Sequence, residues 1–268
     1  MSTLEVDGLS KDYRVRQGLR TRRLRAVDDV SFTLGHGRTV ALVGQSGSGK
    51  STIAKLLMQL ERPTGGRIRL DGKPIERRGA GLAAYRRRVQ MVFQDPFASL
   101  NPYHDVRHHL ERPIRLHHPR MSAAAVGDRV LELLERVRLT PAAQVAARRP
   151  HELSGGQRQR VAIARALAPE PGILVADEPV SMLDVSIRLG VLNLLATLQR
   201  EEDLGVLYIT HDLATARHFS DEILVLYEGR VVERGPADEV ILRPRHEYTR
   251  TLAAAAPDPE RRIRELRG

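Results

Sequence analysis

Short apolar or alternating runs are separated along this chain by longer stretches in which apolar residues recur every three or four positions. The short runs are rich in β-branched residues and predict strands, which lie at residues 30–34, 39–43, 89–93, 173–177 and 206–210. The longer stretches predict helices, at residues 51–60, 158–168 and 187–198. Because strands and helices alternate, the pattern is typical of an α/β domain.

The strand pattern stops between residues 105 and 149. The apolar positions there recur at helical spacing, and they are Val126, Val130, Leu133, Leu134 and Val137. A wholly helical block between the strands of an α/β domain indicates an inserted subdomain. We place this α-helical subdomain at about residues 95–165.

Shorter β elements are predicted near both ends of the chain. Residues 4–6 and 67–72 alternate between apolar and polar side chains, and a hairpin is predicted around Glu228 and Gly229. Residues 16–25 contain five arginines and predict a solvated basic loop between short strands. A charged tail is predicted at residues 257–268, after a domain that spans residues 1–256.

Composition narrows the class of protein. A hydrophobic share of 41% over 268 residues allows a large core, and no apolar run approaches the roughly 18 residues of a membrane span. The first residues lack the basic and apolar regions of a signal peptide, so we expect a protein that stays in the cytosol. Since cysteine is absent, disulfides, thiolate zinc sites and cysteine-bound iron–sulfur clusters within this chain are excluded.

The net charge of +10 raises the question of a nucleic-acid partner. The basic residues are spread along the whole chain, and only 4% of residues are aromatic and able to stack on bases. No nucleic acid is therefore expected as a partner. Arginine-rich codon usage, or attraction to an anionic membrane surface, is the simpler account of the charge.

A glycine-rich loop follows the predicted strand at residues 39–43 and precedes a predicted helix. Its sequence, GQSGSGKST at residues 44–52, has the spacing of a P-loop, in which backbone N–H groups surround nucleotide phosphates. Lys50 adds a positive charge, and the hydroxyl of Ser51 is a Mg²⁺ ligand. A glycine-rich turn that binds nothing is the alternative. The residues predicted to bind nucleotide here are Gly44, Ser46, Gly47, Gly49, Lys50, Ser51 and Thr52.

A second glycine-containing helix start lies at residues 153–157, LSGGQ. Ser154 is a suitable N-cap, and Gly155 and Gly156 leave backbone N–H groups accessible at a helix N-terminus, where anions bind. One P-loop already holds the phosphates of one nucleotide, so a second anion surface indicates a site shared between two chains. Gln157 belongs to the same surface, and an ordinary capped helix is the alternative.

Three polar residues lie at the carboxyl ends of predicted strands, where ligands of α/β sheets bind. Asp177 is suited to hold Mg²⁺ through its water shell, and Glu178 to act as general base for an attacking water. His211 is expected to reach the γ-phosphate. For the carboxylates the alternative is a solvated turn, and for His211 a structural or exposed histidine. Tyr13 is a candidate for stacking on adenine, with a core or surface tyrosine as the alternative.

Taken in order, these motifs resemble the ATP-binding subunits of ABC transporters over about residues 4–257. The P-loop, Gln94, residues 153–157, the pair Asp177 and Glu178, residues 181–184 and His211 all follow the family's spacing. The resemblance implies a P-loop NTPase core with a mixed sheet, an antiparallel β subdomain and the inserted helical subdomain. It assigns adenine stacking to Tyr13, and Mg²⁺ binding and a catalytic role to Gln94.

The family implies several partners. Its ATPases form head-to-tail dimers, with ATP between the P-loop of one subunit and residues equivalent to 154–157 of the other, and the second subunit is either a copy of this chain or a paralogue. The resemblance also implies transmembrane permease subunits, an extracytoplasmic substrate-binding protein and a location on the cytoplasmic face of the membrane. The cofactors would be ATP and Mg²⁺.

Residues 93–102 and 178–187 resemble the oligopeptide, dipeptide and nickel importer branch of the family. Residues 245–249, RHEYT, are similar to that branch's His-Pro-Tyr-Thr segment, with Glu247 in place of proline. The cargo implied is di- or oligopeptides, with nickel or oligosaccharides as alternatives. A soluble ABC-type ATPase acting on nucleic acid is the rival function, and an ATP-binding protein without hydrolysis is a third.

Overall fold

The computed structural model describes residues 2–17 and 20–255. A six-stranded mixed sheet lies at its centre, in the order β10, β9, β3, β8, β7, β6. The strands are β3 (Thr39–Val43), β6 (Val89–Val92), β7 (Ile173–Asp177), β8 (Gly205–Thr210), β9 (Glu222–Tyr227) and β10 (Arg230–Pro236). All neighbours are parallel except β9 and β10. These strands confirm the predicted α/β core.

A four-stranded antiparallel sheet, in the order β2, β1, β4, β5, lies beside this core. Its strands are β1 (Leu4–Gln17), β2 (Arg20–Leu34), β4 (Gly65–Leu70) and β5 (Lys73–Pro74). The prediction of short strands joined by a basic loop at residues 16–25 is therefore wrong for the described part. Both strands extend into the basic stretch because Asp12 on β1 pairs with Arg23 and Arg25 on β2. Residues 18 and 19 lie outside the described residues.

Helices fill the segment between β6 and β7, and no strand interrupts them there. They are α3 (Pro96–Ser99), α4 (Val106–His117), α5 (Ala123–Arg136), α6 (Ala142–Ala147) and α7 (Gly155–Leu167), with a 3₁₀ turn at Pro150–Glu152. Asp105, Ser122 and Ser154 cap α4, α5 and α7 by accepting backbone N–H groups. The helical character predicted for residues 105–149 is confirmed, while the division of the chain into domains stays a prediction.

The other helices lie around the core. They are α1 (Lys50–Leu57), α2 (Gly79–Arg88), α8 (Val185–Glu201), α9 (Leu213–Phe219), α10 (Ala237–Leu242) and α11 (Glu247–Ala255). No helix in the described part of the chain is long and apolar enough to cross a membrane.

The central sheet separates two hydrophobic clusters, because side chains alternate between its faces. On β3, Ala41 and Val43 face a cluster that contains the helical segment, while Val40 and Leu42 face a cluster with α1 and the antiparallel sheet. Layers on both faces explain why the central strands are apolar throughout. The carboxyl ends of β3, β6, β7 and β8 meet at one edge of the sheet, where the predicted site residues follow them.

Candidate functional site

The loop at residues 44–49 connects β3 to α1 and lies against neighbouring backbone. A Cβ on Gly44 would lie 2.3 Å from the carbonyl oxygen of Leu226, so only glycine fits beside β9. Gly49 has φ of 113°, and a Cβ there would lie 2.4 Å from the carbonyl oxygen of Ala26. Both contacts show that the glycines let the loop pass close to two strands.

Lys50 begins α1 with its side chain directed back into the loop. Its Nζ donates to the carbonyl oxygens of Gly44 at 2.5 Å and Gln45 at 2.9 Å. Burial lowers the Lys50 pKa, and the nearby Glu178 and Asp177 oppose that shift. A buried ammonium that hydrogen-bonds neutral carbonyls would be stabilised by an anion, so this cation fits a phosphate.

A cavity of about 710 Å³ opens beside the loop. It brings together residues that are far apart in sequence, and its lining includes Tyr13, Leu24, Ala26, Gln45, Ser46, Gly47, Gly49, Lys50, Ser51, Thr52, Gln94, Glu178 and His211. Most of the predicted nucleotide-binding and catalytic residues thus meet at one cavity. Gly44 is not among the lining residues, because it packs beneath the loop against β9.

Glu178 is held between two other predicted site residues. The side-chain Nε2 of Gln94 donates to one carboxylate oxygen at 3.1 Å, and Nδ1 of His211 lies 3.2 Å from the other. The Glu178 backbone has φ of 43°, a strained value for a residue with a side chain, and its N–H donates to the Ile209 carbonyl at 2.9 Å. The carboxylate is thereby fixed at the edge where β6, β7 and β8 end.

Asp177 is more deeply buried than Glu178 and lies at the end of β7. Burial, followed by repulsion from Glu178, raises the Asp177 pKa to about 6, while Lys50 acts in the opposite direction. It lines an adjoining cavity of about 990 Å³ whose wall also includes Ser51 and Gln94. The predicted metal ligands therefore line one cavity. Their oxygen donors suit Mg²⁺, which would relieve the cost of a buried anionic Asp177.

Tyr13 lies on β1 at the edge of the first cavity. Its hydroxyl donates to a carboxylate oxygen of Glu61 at 2.6 Å, and Nζ of Lys11 is 4.9 Å from the ring centroid. Lys11 also pairs with Glu61 at 3.1 Å. These contacts fix the ring beside the cavity, where stacking on a base requires it. Its adenine-stacking role stays a prediction.

Ser154, Gly155, Gly156 and Gln157 begin α7 and do not line the cavity of Lys50. Ser154 and Gln157 form a reciprocal capping box at 3.3 Å and 3.0 Å. Gly156 packs so closely against α8 that a Cβ there would lie 2.6 Å from a methyl carbon of Ile187. Within one chain, residues 154–157 and the P-loop do not line the same cavity. A site shared by two chains requires this separation.

Several residues of the site were not predicted. Leu24 and Ala26 line the cavity because β2 is longer than the sequence pattern indicated. Lys11 and Glu61, which support Tyr13, come from separate elements and carry no motif. Tyr248 contacts Gln45 in the P-loop across 203 residues of sequence, and its only sequence signal is the motif at residues 245–249.

Comparisons with known proteins place these observations in a family context. A family model described as ABC transporter matches residues 27–181. The chain is 44% identical over 261 residues to a probable peptide ABC transporter ATP-binding protein, y4tS, of Sinorhizobium fredii; the match covers 96% of this chain and 73% of the relative. It is 44% identical over 257 residues to the dipeptide transport ATP-binding protein DppF of Haemophilus influenzae, covering 95% and 78%.

A solved structure with the same fold contains ligands of the expected kind. It is the dimeric post-hydrolysis state of the ATP-binding cassette MJ0796 bound to ADP and Pi. The superposition has a TM-score of 0.75 at 32% sequence identity and covers 87% of this chain and 98% of that one.

Proposed function

The chain belongs to the ABC transporter ATP-binding family, and from that premise we propose that it hydrolyses ATP to power import of di- or oligopeptides. The observation that carries the proposal is the cavity in which Lys50, Gln94, Glu178 and His211 meet. The names of two relatives, which mention peptide and dipeptide transport, support the cargo. A function in nucleic-acid repair or translation is not favoured.

ATP, when bound, supplies the γ-phosphoryl group, and Mg²⁺ neutralises charge on its phosphates. Lys50 and the loop N–H groups would hold the phosphates, while Ser51 and Gln94 would hold the metal and Asp177 would bind it through water. Water attacks the γ-phosphorus, the bond between the γ-phosphorus and the bridging oxygen breaks, and ADP leaves with that oxygen. The Glu178 carboxylate takes the proton that the water loses. Because Gln94 and His211 hold the two oxygens of that carboxylate, it is oriented before the water is bound. His211 also stabilises the γ-phosphate.

A membrane permease is the proposed partner of the segment at residues 93–102. Phe93 and Phe97 have exposed fractions of 42% and 51%, which leaves apolar surface for contact. The adjoining cavity of about 990 Å³ is lined there by His104, His108 and Arg112, and they favour an acidic or polar partner surface. We place the chain on the cytoplasmic face of the membrane, with an extracytoplasmic binding protein delivering the cargo.

Hydrolysis by the purified chain is the direct test of the enzymatic proposal. We expect phosphate release that requires Mg²⁺ and is abolished by EDTA. Reconstitution with a permease and binding protein from neighbouring genes then tests the cargo, since a transported peptide should stimulate hydrolysis. Stimulation by nickel or an oligosaccharide, and not by peptides, would contradict the peptide assignment.

Replacing Lys50 by methionine is expected to weaken ATP binding about 10-fold, because a charge-assisted hydrogen bond is worth roughly 1.5 kcal/mol or more. Isothermal titration calorimetry with ATP measures the change. Lys73→Met is the matched control, since Lys73 is exposed on β5 and outside the cavity. Unchanged affinity in Lys50→Met, or an equal loss in the control, would contradict the assignment.

A further inference from the structure

The segment at residues 245–249 takes no part in the chemistry proposed above, yet it is firmly held. The carboxylate of Glu233, on β10, accepts the backbone N–H groups of Arg245 at 2.8 Å and His246 at 3.0 Å. Thr249 is fully buried. These contacts fix the start of α11 against the hairpin of β9 and β10.

Tyr248 reaches from this segment to the P-loop. Its hydroxyl oxygen accepts the backbone N–H of Gln45 at 2.9 Å. Its ring lies 4.3 Å, centroid to centroid, from that of Tyr227, the last residue of β9. Tyr248 is thus supported on one side by the sheet and bonded to the P-loop on the other.

The peptide group that Tyr248 contacts is the one that holds Lys50. The N–H of Gln45 and the carbonyl of Gly44 belong to the same planar peptide unit. Tyr248 accepts from its N–H, while Nζ of Lys50 donates to its oxygen at 2.5 Å. A hydrogen bond at one end of a peptide polarises the group and strengthens the bond at the other end. One peptide group thus carries both the hydrogen bond to Tyr248 and one of the two hydrogen bonds that hold the Lys50 ammonium.

We infer that Tyr248 is a positioning residue for nucleotide binding, which orients the Gly44–Gln45 peptide and through it the ammonium of Lys50. The inference rests on the proposed function of the cavity as an ATP site. It assigns a role to the segment at residues 245–249, namely to brace the outer side of the P-loop. Tyr248 acts through the peptide and does not need to touch the nucleotide.

Tyr248→Phe tests the inference, because it removes the hydroxyl and keeps the ring against Tyr227. We expect the affinity for the non-hydrolysable analogue AMP-PNP, measured by calorimetry, to fall about 5-fold, as the loss of one hydrogen bond to the backbone predicts. In the nucleotide-free protein, NMR-detected hydrogen exchange at the Gln45 amide should accelerate. The matched control is Tyr103→Phe, because Tyr103 precedes α4 and is 83% exposed. It should change neither the AMP-PNP affinity nor the exchange rate of the Gln45 amide.

A second variant tests the same brace at its other end. Glu233→Ala removes the anchor of residues 245 and 246 and leaves the Tyr248 hydroxyl in place, so it should weaken AMP-PNP binding in the same direction. AMP-PNP affinity of Tyr248→Phe within about twofold of wild type would overturn the inference. If wild type itself binds no AMP-PNP, the proposed function fails; if wild type binds and Tyr248→Phe binds equally well, only the role of Tyr248 fails.

Discussion

Replacing Glu178 by glutamine is expected to lower the rate of ATP hydrolysis at least ~100-fold, because a positioned general base contributes about 10²- to 10⁴-fold to such rates. ATP affinity should remain close to wild type. Glutamine has the same shape and retains a carbonyl oxygen that accepts from Gln94, so the cavity keeps its geometry. What is lost is the ability to take a proton from water.

Single-turnover hydrolysis and calorimetric ATP binding, measured on the same samples, separate these two effects. Glu239→Gln is the matched control, since Glu239 is exposed on α10 and outside the cavity. Turnover near wild type in Glu178→Gln would exclude Glu178 as the base. Equal losses of affinity and turnover would show instead that the substitution damaged the binding site.

The second large effect is expected from Ser154→Arg. If the nucleotide site is completed by α7 of a second chain, the wild-type rate should rise more steeply than in proportion to protein concentration. Ser154→Arg should lower it at least ~100-fold, since a displacement of about 1 Å near the chemistry can itself cost 10²-fold. ATP binding to the single chain should persist, because Ser154 does not line the cavity of Lys50.

The matched control for this substitution is Ser122→Arg. Ser122 is the N-cap of α5 and accepts the Ala125 N–H at 3.2 Å, so the control loses a comparable cap. Losing a cap costs about 1 kcal/mol of stability in either case. If both variants lose hydrolysis equally, the effect is one of folding and the shared site is contradicted.

Mixing two inactive variants sharpens the test. Ser154→Arg retains Glu178, and Glu178→Gln retains Ser154, so a head-to-tail pair of the two contains one complete site. We expect hydrolysis to rise well above that of either variant alone when the two are combined. Wild type that binds ATP but stays inactive at every concentration would contradict self-pairing and point to a paralogous ATPase as the second subunit.

The strands of the central sheet and the P-loop could be predicted because their signals are local. The apolar run before Gly44 and the cap at Ser154 each act within a few residues of sequence. The cavity lining also followed from the sequence, since parallel strands bring residues such as Gln94, Glu178 and His211 to one edge.

The long β1–β2 hairpin and α2 escaped prediction for reasons that lie in tertiary contacts. In β2 the arginines conceal the alternation, and two of them form ion pairs with Asp12 on the opposite strand, which is distant in sequence. In α2 the one buried side chain is Tyr85, whose hydroxyl donates to the Leu57 carbonyl at 2.6 Å, and a single anchor creates no periodicity. The bond between Tyr248 and Gln45 likewise has no local signal.

The contacts between α3 and α7 have a mechanical consequence. The guanidinium of Arg158 on α7 lies 4.1 Å from the ring centroid of Phe97, and Arg165 donates to the Ser99 carbonyl. The segment proposed to contact the permease is therefore bonded to α7 at two positions. With 13 residues, α7 is about 20 Å long. If α7 tilted by about 10° around its C-terminal end, Ser154 at the other end would move by roughly 3 Å, which is the length of a hydrogen bond. In the proposed assembly, a small rotation that a permease imposes on α3 would therefore shift Ser154 relative to the nucleotide of the second chain.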